Sequence, residues 1–183
     1  MLLLYAKGKN ARQCEPIRGR TRLMKMVFLF KKELMPRFKL SQVIDKKALP
    51  DFTAYDYGPF SPDVFADLEF LVDLGFVSAK PVTGGQVLPE ETLEYQYWQA
   101  GADSSSDSGF AGTEDEFSLT DIGASFVKEG RAGKLTKEQQ EALDELKARC
   151  SAATLRSLLR YVYKKYPAMT TNSKIRDDIL SQQ

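Results

Sequence analysis

Four cations fall within eight positions of the segment IRGRTRLMK: Arg18, Arg20, Arg22 and Lys25. They stand where a helix is predicted to begin, and Lys31 and Lys32 follow further along it. A helix N-terminus points backbone N–H groups outward, and cations beside it suit phosphate oxygens, so these six side chains are the candidate nucleic-acid contacts. A second group has the opposite sign. Asp63, Asp67, Glu69 and Asp73 punctuate PDVFADLEFLVDLGF, with no Lys or Arg among them. Clustered carboxylates could hold a metal or move a proton, but such a helix is more often a solvated face, and it complements a basic protein surface. Tyr57 and Phe60, just upstream, are the aromatic candidates for the same contact.

Much other chemistry is excluded by composition. The chain has no histidine, which removes Ser–His, Cys–His and HExxH arrangements together. Its two cysteines, Cys14 and Cys150, form neither a CxxC pair nor a disulfide framework. Neither GxxxxGK[ST] nor GxGxxG occurs. Ser105, Ser106 and their neighbours have no base with which to form a nucleophilic group. Only carboxylate-based or Mg²⁺-dependent catalysis survives these cuts. The reading is therefore a protein that binds without catalysing, and without cofactor or metal.

These residues need elements to position them. Leu23, Val27, Phe30 and Leu34 recur at helical spacing in TRLMKMVFLFKKEL, and Met24, Met26, Phe28 and Leu29 widen the stripe, predicting a helix buried over most of its surface. Thr21 is its expected N-cap and Pro36 its end. KLSQVIDKKAL reads as a weaker helix. Phe52 to Tyr57 favour a strand, with Gly58-Pro59 as the turn after it. Ser61 and Pro62 open a helix over 61–74, and Gly75 closes it. FVSAKPV and EFSLT read as strands on either side of an acidic, low-complexity stretch, and Thr120 caps the helix that follows. Thr136 and Gln139 fit a capping box, Ser151 is the expected cap of the next helix, and Ser173 of a last short one. No internal repeat occurs.

The order helix, helix, turn, helix, strand, long insert, strand predicts an α+β, mainly α protein. Its expected form is a winged-helix-like domain over 1–130, with a wing insertion at 84–116, flexible at 101–116, and a C-terminal helical extension over 131–183. MLLLYA is apolar first and basic after, the reverse of a signal peptide, and no apolar run approaches the roughly 18 residues of a membrane span. A cytoplasmic location away from membranes is expected.

Net charge is +1 but unevenly spread. Residues 1–50 hold 13 basic and 3 acidic residues, residues 51–130 hold 2 and 16, and residues 131–183 hold 11 and 6. Either the segments pair within the fold or each meets a charged partner. In a winged-helix module the helix before the first wing strand enters the DNA groove. Here that helix is acidic, and DNA carries about one negative charge per 1.7 Å of axis, so the groove would repel it. Nucleic acid, if bound, falls to the basic N-terminal half.

Two stretches resemble the pattern shared by the YwgA-like family and the Panacea domain of SocA-type antitoxins. They are the helix RLMKMVFLF and the segment FTAYDYGPFSPDVFADLEFLVDLGFV, with Gly58-Pro59 in the place of the family's GP turn. The resemblance spans most of residues 1–82 and 117–176, and the stretch 101–116 lies outside it. It implies a winged-helix-like fold and an antitoxin, phage-defence or regulatory setting, with protein–protein binding to a toxin or as an adaptor to a protease. The expected partner is thus a toxin, nuclease or other defence protein, with nucleic-acid binding as the alternative and homodimerisation left open.

Overall fold

The computed structural model describes residues 1–81 and 115–181. Among them the chain is α+β and mainly helical, with two small antiparallel sheets. Most of the insertion expected at 84–116 lies outside the described residues.

The central element is α2 (Arg20–Leu29), which runs on through a π-helical turn, Phe30–Leu34, into α3 (Met35–Arg37). Leu23, Met24, Met26, Phe28, Leu29, Phe30 and Leu34 are all buried. A helix that buries side chains around most of its circumference must be enclosed. Its N-cap is Gly19, at φ 86°, and not Thr21, which is buried inside the first turn. The first turn carries no acidic residue, and glycine at the N-cap has no side chain with which to cap it. The Gly19 N–H instead donates to the Asp115 carbonyl at 2.9 Å.

The other elements surround α2. α1 (Leu2–Tyr5), α4 (Pro62–Asp73), α6 (Lys137–Ala152), α7 (Leu155–Lys165) and α8 (Arg176–Ser181) all contribute to one core, in which Leu3, Leu68, Leu143, Cys150, Leu159, Val162 and Ile179 meet Leu23, Met26 and Phe28. That core joins the expected 1–130 unit to the C-terminal helices. The helix expected over 39–49 is absent. Lys39 is left-handed (φ 50°) and the Asp45 carboxylate accepts the Lys47 N–H, so local turns outcompete the helix and leave 3-10 turns at Leu40–Gln42 and Lys46–Ala48.

β1 (Ile17–Arg18), β4 (Val77–Pro81) and β5 (Asp115–Leu119) form an antiparallel sheet in the order β1-β5-β4, with Ile17 opposite Phe117 and Ala79 opposite Phe117 on the other side. β2 (Thr53–Tyr55) and β3 (Gly58–Phe60) form a hairpin. Gly58-Pro59 is therefore not the turn; Asp56 and Tyr57 are, and Gly58-Pro59 begins the returning strand. Gly58 is required there for two reasons. Its φ is +85°, and a Cβ would lie 2.8 Å from Cε1 of Tyr163.

α4 ends in a Schellman motif: the Gly75 N–H donates to Val72 O at 2.9 Å and the Phe76 N–H to Leu71 O at 3.0 Å, with Gly75 at φ 71°. Thr120 caps α5 (Asp121–Glu129), and Thr136 with Gln139 forms the predicted capping box on α6. The cap expected at Ser151 is corrected. α6 runs through Ser151, and Thr154 caps α7 in its place. Ser61 does stand at the α4 N-cap, but its buried hydroxyl makes no hydrogen bond among the described residues. Ser173 Oγ accepts the Ile175 N–H at 3.3 Å, just ahead of α8. No helix among the described residues is long and apolar enough to cross a membrane.

α1 is too short to be stable alone. Its end is held by Lys147 of α6, whose fully buried Nζ donates to the carbonyls of Leu4 at 2.9 Å and Ala6 at 2.8 Å. Burial lowers the Lys147 pKa to about 8, opposed by the charges of Cys14, Glu15 and Asp144. Because the folded value lies below that of the unfolded chain, unfolding takes up a proton between about pH 8 and 10, and stability rises with pH there. Chemical denaturation across this window should show a gain of about 2–3 kcal/mol in the wild type that is missing in Lys147→Met.

Candidate functional site

Of the six candidate cations, Arg18 lies on β1 and the other five along α2 and its π-helical continuation, and the fold uses five of the six internally. Arg18 lies on β1 opposite Glu116 of β5, and their side chains pair at 2.9 Å. Arg20 pairs with the buried Asp115 at 2.8 Å and lies 5.8 Å from the centroid of the Phe65 ring. Arg22 Nη1 donates to the carbonyl of Cys150, and at 2.7 Å to that of Ala153, capping the C-terminus of α6. Lys25 is buried, and its ammonium donates to Pro59 O at 2.8 Å, fixing the hairpin on α2. Lys31 holds Pro50 O at 2.8 Å and Asp51 at 2.7 Å. Lys32 is exposed. The α2 N-terminus, where a phosphate was expected, has its Gly19 N–H taken by Asp115, whose carboxylate stands on Arg20.

The acidic candidates behave differently. Asp63, Asp67, Glu69 and Asp73 are all exposed, and none has a hydrogen bond or ion pair among the described residues. The buried stripe of α4 is Val64 and Leu68, with Leu71 half-buried behind them, so the carboxylates fall on the remaining surface. Tyr57 and Phe60 are not beside them in solvent. Both are half-buried, and Phe60 is sandwiched between Tyr55 (5.1 Å, stacked) and Phe65 of α4 (6.0 Å). Of the acids expected on the wing, Asp115 and Glu116 belong to β5 and face Arg20 and Arg18. Asp103, Asp107 and Glu114, in the acidic stretch between β4 and β5, lie outside the described residues.

Two further features have no counterpart in the sequence reading. In the π-helical turn, Glu33 accepts hydrogen bonds from the Tyr161 and Tyr166 hydroxyls at 3.0 Å and pairs with Lys165 at 3.0 Å. Such turns often mark functional sites. Here burial and then Glu33 push the Tyr166 hydroxyl up to about 12, and hydrogen bonds to Tyr161 and Glu33 raise Lys165. These contacts tie the π-helical turn to the end of α7. A cavity of about 300 Å³ lies between α1, α2 and α4, lined by Leu23, Val27, Phe30, Leu68 and Leu71, with the exposed Asp45, Asp67 and Arg131 also bordering it.

The second missed feature is apolar. Phe70 (61% exposed) and Leu74 (50%) at α4, with Ile122 (66%) and Phe126 (56%) on α5, are the most exposed large hydrophobic side chains among the described residues. Spacing alone could have revealed them. Phe70 and Leu74 are four apart but off the Val64–Leu68 stripe. Ile122 and Phe126 are likewise four apart and off the buried Gly123–Val127 stripe.

No family model, curated protein or solved structure matches the chain. The functional reading therefore rests on this geometry. Its sharpest energetic consequence concerns Asp115, whose second oxygen, Oδ1, is buried without a partner among the described residues. Removing Arg20 leaves a buried carboxylate unpaired. Arg20→Met should lower the unfolding free energy by about 3 kcal/mol in urea titrations, whereas Arg18→Met, on the surface pair, should change it by less than about 1 kcal/mol.

Proposed function

We propose that this is a non-enzymatic binding protein that acts through protein–protein contacts, with the acidic helix α4 as its principal contact surface and a basic protein as its partner. One observation carries the reading. The four carboxylates of α4 stand exposed with neither hydrogen bond nor ion pair among the described residues, whereas five of the six cations that suited nucleic acid hold ion pairs or backbone carbonyls of their own chain. An exposed surface dominated by one sign of charge steers a partner of the other sign.

The scaffold for this surface is proposed to be winged-helix-like. The order α1, β1, α2, α4, β4, β5, with β5 central in an antiparallel sheet, supports it. In that frame α4 occupies the place of the reading helix, and its charge favours protein over DNA. The resemblance of RLMKMVFLF and of the segment through Gly58-Pro59 to the YwgA-like and Panacea patterns supports an antitoxin or defence-regulator setting. The partner would then be a toxin, a nuclease or another defence component. A nucleic-acid-binding regulator using the N-terminal half is less well supported, since Lys32 is the one candidate cation among the six with neither ion pair nor hydrogen bond among the described residues.

The test is capture of the products of neighbouring genes by the full chain. Reversing Asp63, Asp67 and Asp73 to Lys should weaken the complex at least about tenfold, and so should raising salt from about 0.1 M to about 0.5 M. A complex indifferent to both changes would overturn the reading. A DNA or RNA band shift that weakens steeply with salt would favour the alternative.

A further inference from the structure

The four exposed apolar side chains lie on two helices held together at one corner by a side-chain hydrogen bond, a ring stack and a close backbone approach. Thr120 Oγ1 donates to the Gly75 carbonyl at 2.6 Å, just past Leu74. The Phe76 ring stacks on Phe126 at 5.0 Å. Gly123 lies so close to Phe76 that a Cβ would sit 2.0 Å from its carbonyl oxygen. Leu74, at the end of α4, and Ile122, in the first turn of α5, therefore flank the same junction. Phe70 extends the surface one turn back along α4, and Phe126 extends it one turn along α5. Large exposed apolar groups gathered this way mark an interaction site more often than scattered ones do.

Charge says what kind of partner fits. Glu69 precedes Phe70, Asp73 precedes Leu74, Asp121 precedes Ile122, and Glu129 follows Phe126 by three positions. All four acids are exposed. Against them stands Lys128, the only base on the two helices. A second copy of the chain would bring acidic rim against acidic rim in a two-fold contact, at a cost in repulsion. The chain's own segment 82–114 carries six acidic residues and no Lys or Arg, so its charge does not complement the surface either.

We propose that the surface formed by Phe70, Leu74, Ile122 and Phe126 receives an amphipathic helix of the partner protein, with an apolar stripe flanked by Lys or Arg. This rests on the protein-binding reading of α4 and specifies the partner's chemistry. The partner's apolar residues recur at i, i+4 and i+7 and pack across the two pairs, while its flanking cations meet the four carboxylates. The apolar contacts supply most of the affinity, and the acids select sign and orientation.

The experiment uses the full chain and a random library of peptides about 16 residues long, roughly four helical turns. Selection against the wild type should enrich sequences with the i, i+4, i+7 apolar pattern and flanking Lys or Arg. Ile122→Ser and Phe70→Ser should each weaken the selected peptides about tenfold or more, with far-ultraviolet circular dichroism unchanged. Ile122 is the most exposed of the four and keeps the test open should Phe126→Ser, which loses its stack on Phe76, unfold. The proposal falls if nothing is enriched, if the enriched peptides lack the pattern, or if Ile122→Ser binds them as the wild type does. It also falls if sedimentation shows a dimer that Ile122→Ser dissociates, since a second copy would then be the occupant. Ile122 and Phe126 are not among the residues that carry the broader reading. A partner complex lost on reversing the α4 acids but kept in Ile122→Ser would therefore overturn this inference alone.

Discussion

α2 is apolar on nearly every side, and the rest of the described structure follows from the need to enclose it. A helix with one apolar stripe can lie on a surface. One that buries Leu23, Met24, Met26, Phe28 and Leu29 together has to run through the middle. α1, α4, α6 and α7 are the walls this requires, and the small sheet closes the N-terminal end through Ile17 and Phe117. Enclosure also decides the fate of the basic residues on the helix. A cation carried into or beside the core must find an acceptor, because an unpaired buried charge is too costly to keep. Lys25 finds Pro59, Arg20 finds Asp115, and Arg22 finds the end of α6. Charges that look like a binding patch along the chain thus become fasteners, each joining α2 to a different element.

The imbalance between the basic N-terminal segment and the acidic middle is partly resolved in the same way. β1 lies directly against β5, so Arg18 meets Glu116, and Asp115 reaches back to Arg20. Lys31 takes Asp51. Pairing of this kind stops at α4, which turns its apolar stripe inward and whose carboxylates make no ion pair among the described residues, although Asp67 lies near enough to the Met1 ammonium to act on its charge. The two explanations of the charge pattern, internal neutralisation and an external partner, are therefore each suited to different residues.

Much of the scaffold was legible in the chain because it depends on local signals. The buried helix, the Thr120 and Thr136 caps, the Gly75 terminus and the strands around 77–81 and 117–119 each follow from short-range spacing or capping chemistry. The misread features depend on residues distant in sequence. Gly58 looks like a turn residue until Tyr163 packs against it. Arg22 looks like a phosphate ligand until α6, more than a hundred residues later, presents its carbonyls. Lys147 looks like a surface lysine on an amphipathic helix until α1 covers it. The candidate surface was half legible: the four α4 acids are on the exposed face where spacing put them, but the apolar pairs at 70/74 and 122/126 carry no signal in composition that sets them apart from core residues. Counting hydrophobic residues does not show which face each one occupies.

The contact of Gly123 with the Phe76 carbonyl sets how far apart the two exposed helical ridges stand, and it does so through backbone atoms and not through the residues on display. Framework and lettering are thereby separated. Side chains at 70, 74 and 122 can change while the spacing of the ridges stays constant, so long as position 123 remains glycine and Phe126 keeps its stack on Phe76. A surface under pressure to follow a changing counterpart gains from that arrangement, because new specificities need no refolding. In such a lineage the mark of selection would be a fixed glycine amid drifting aromatic and aliphatic neighbours.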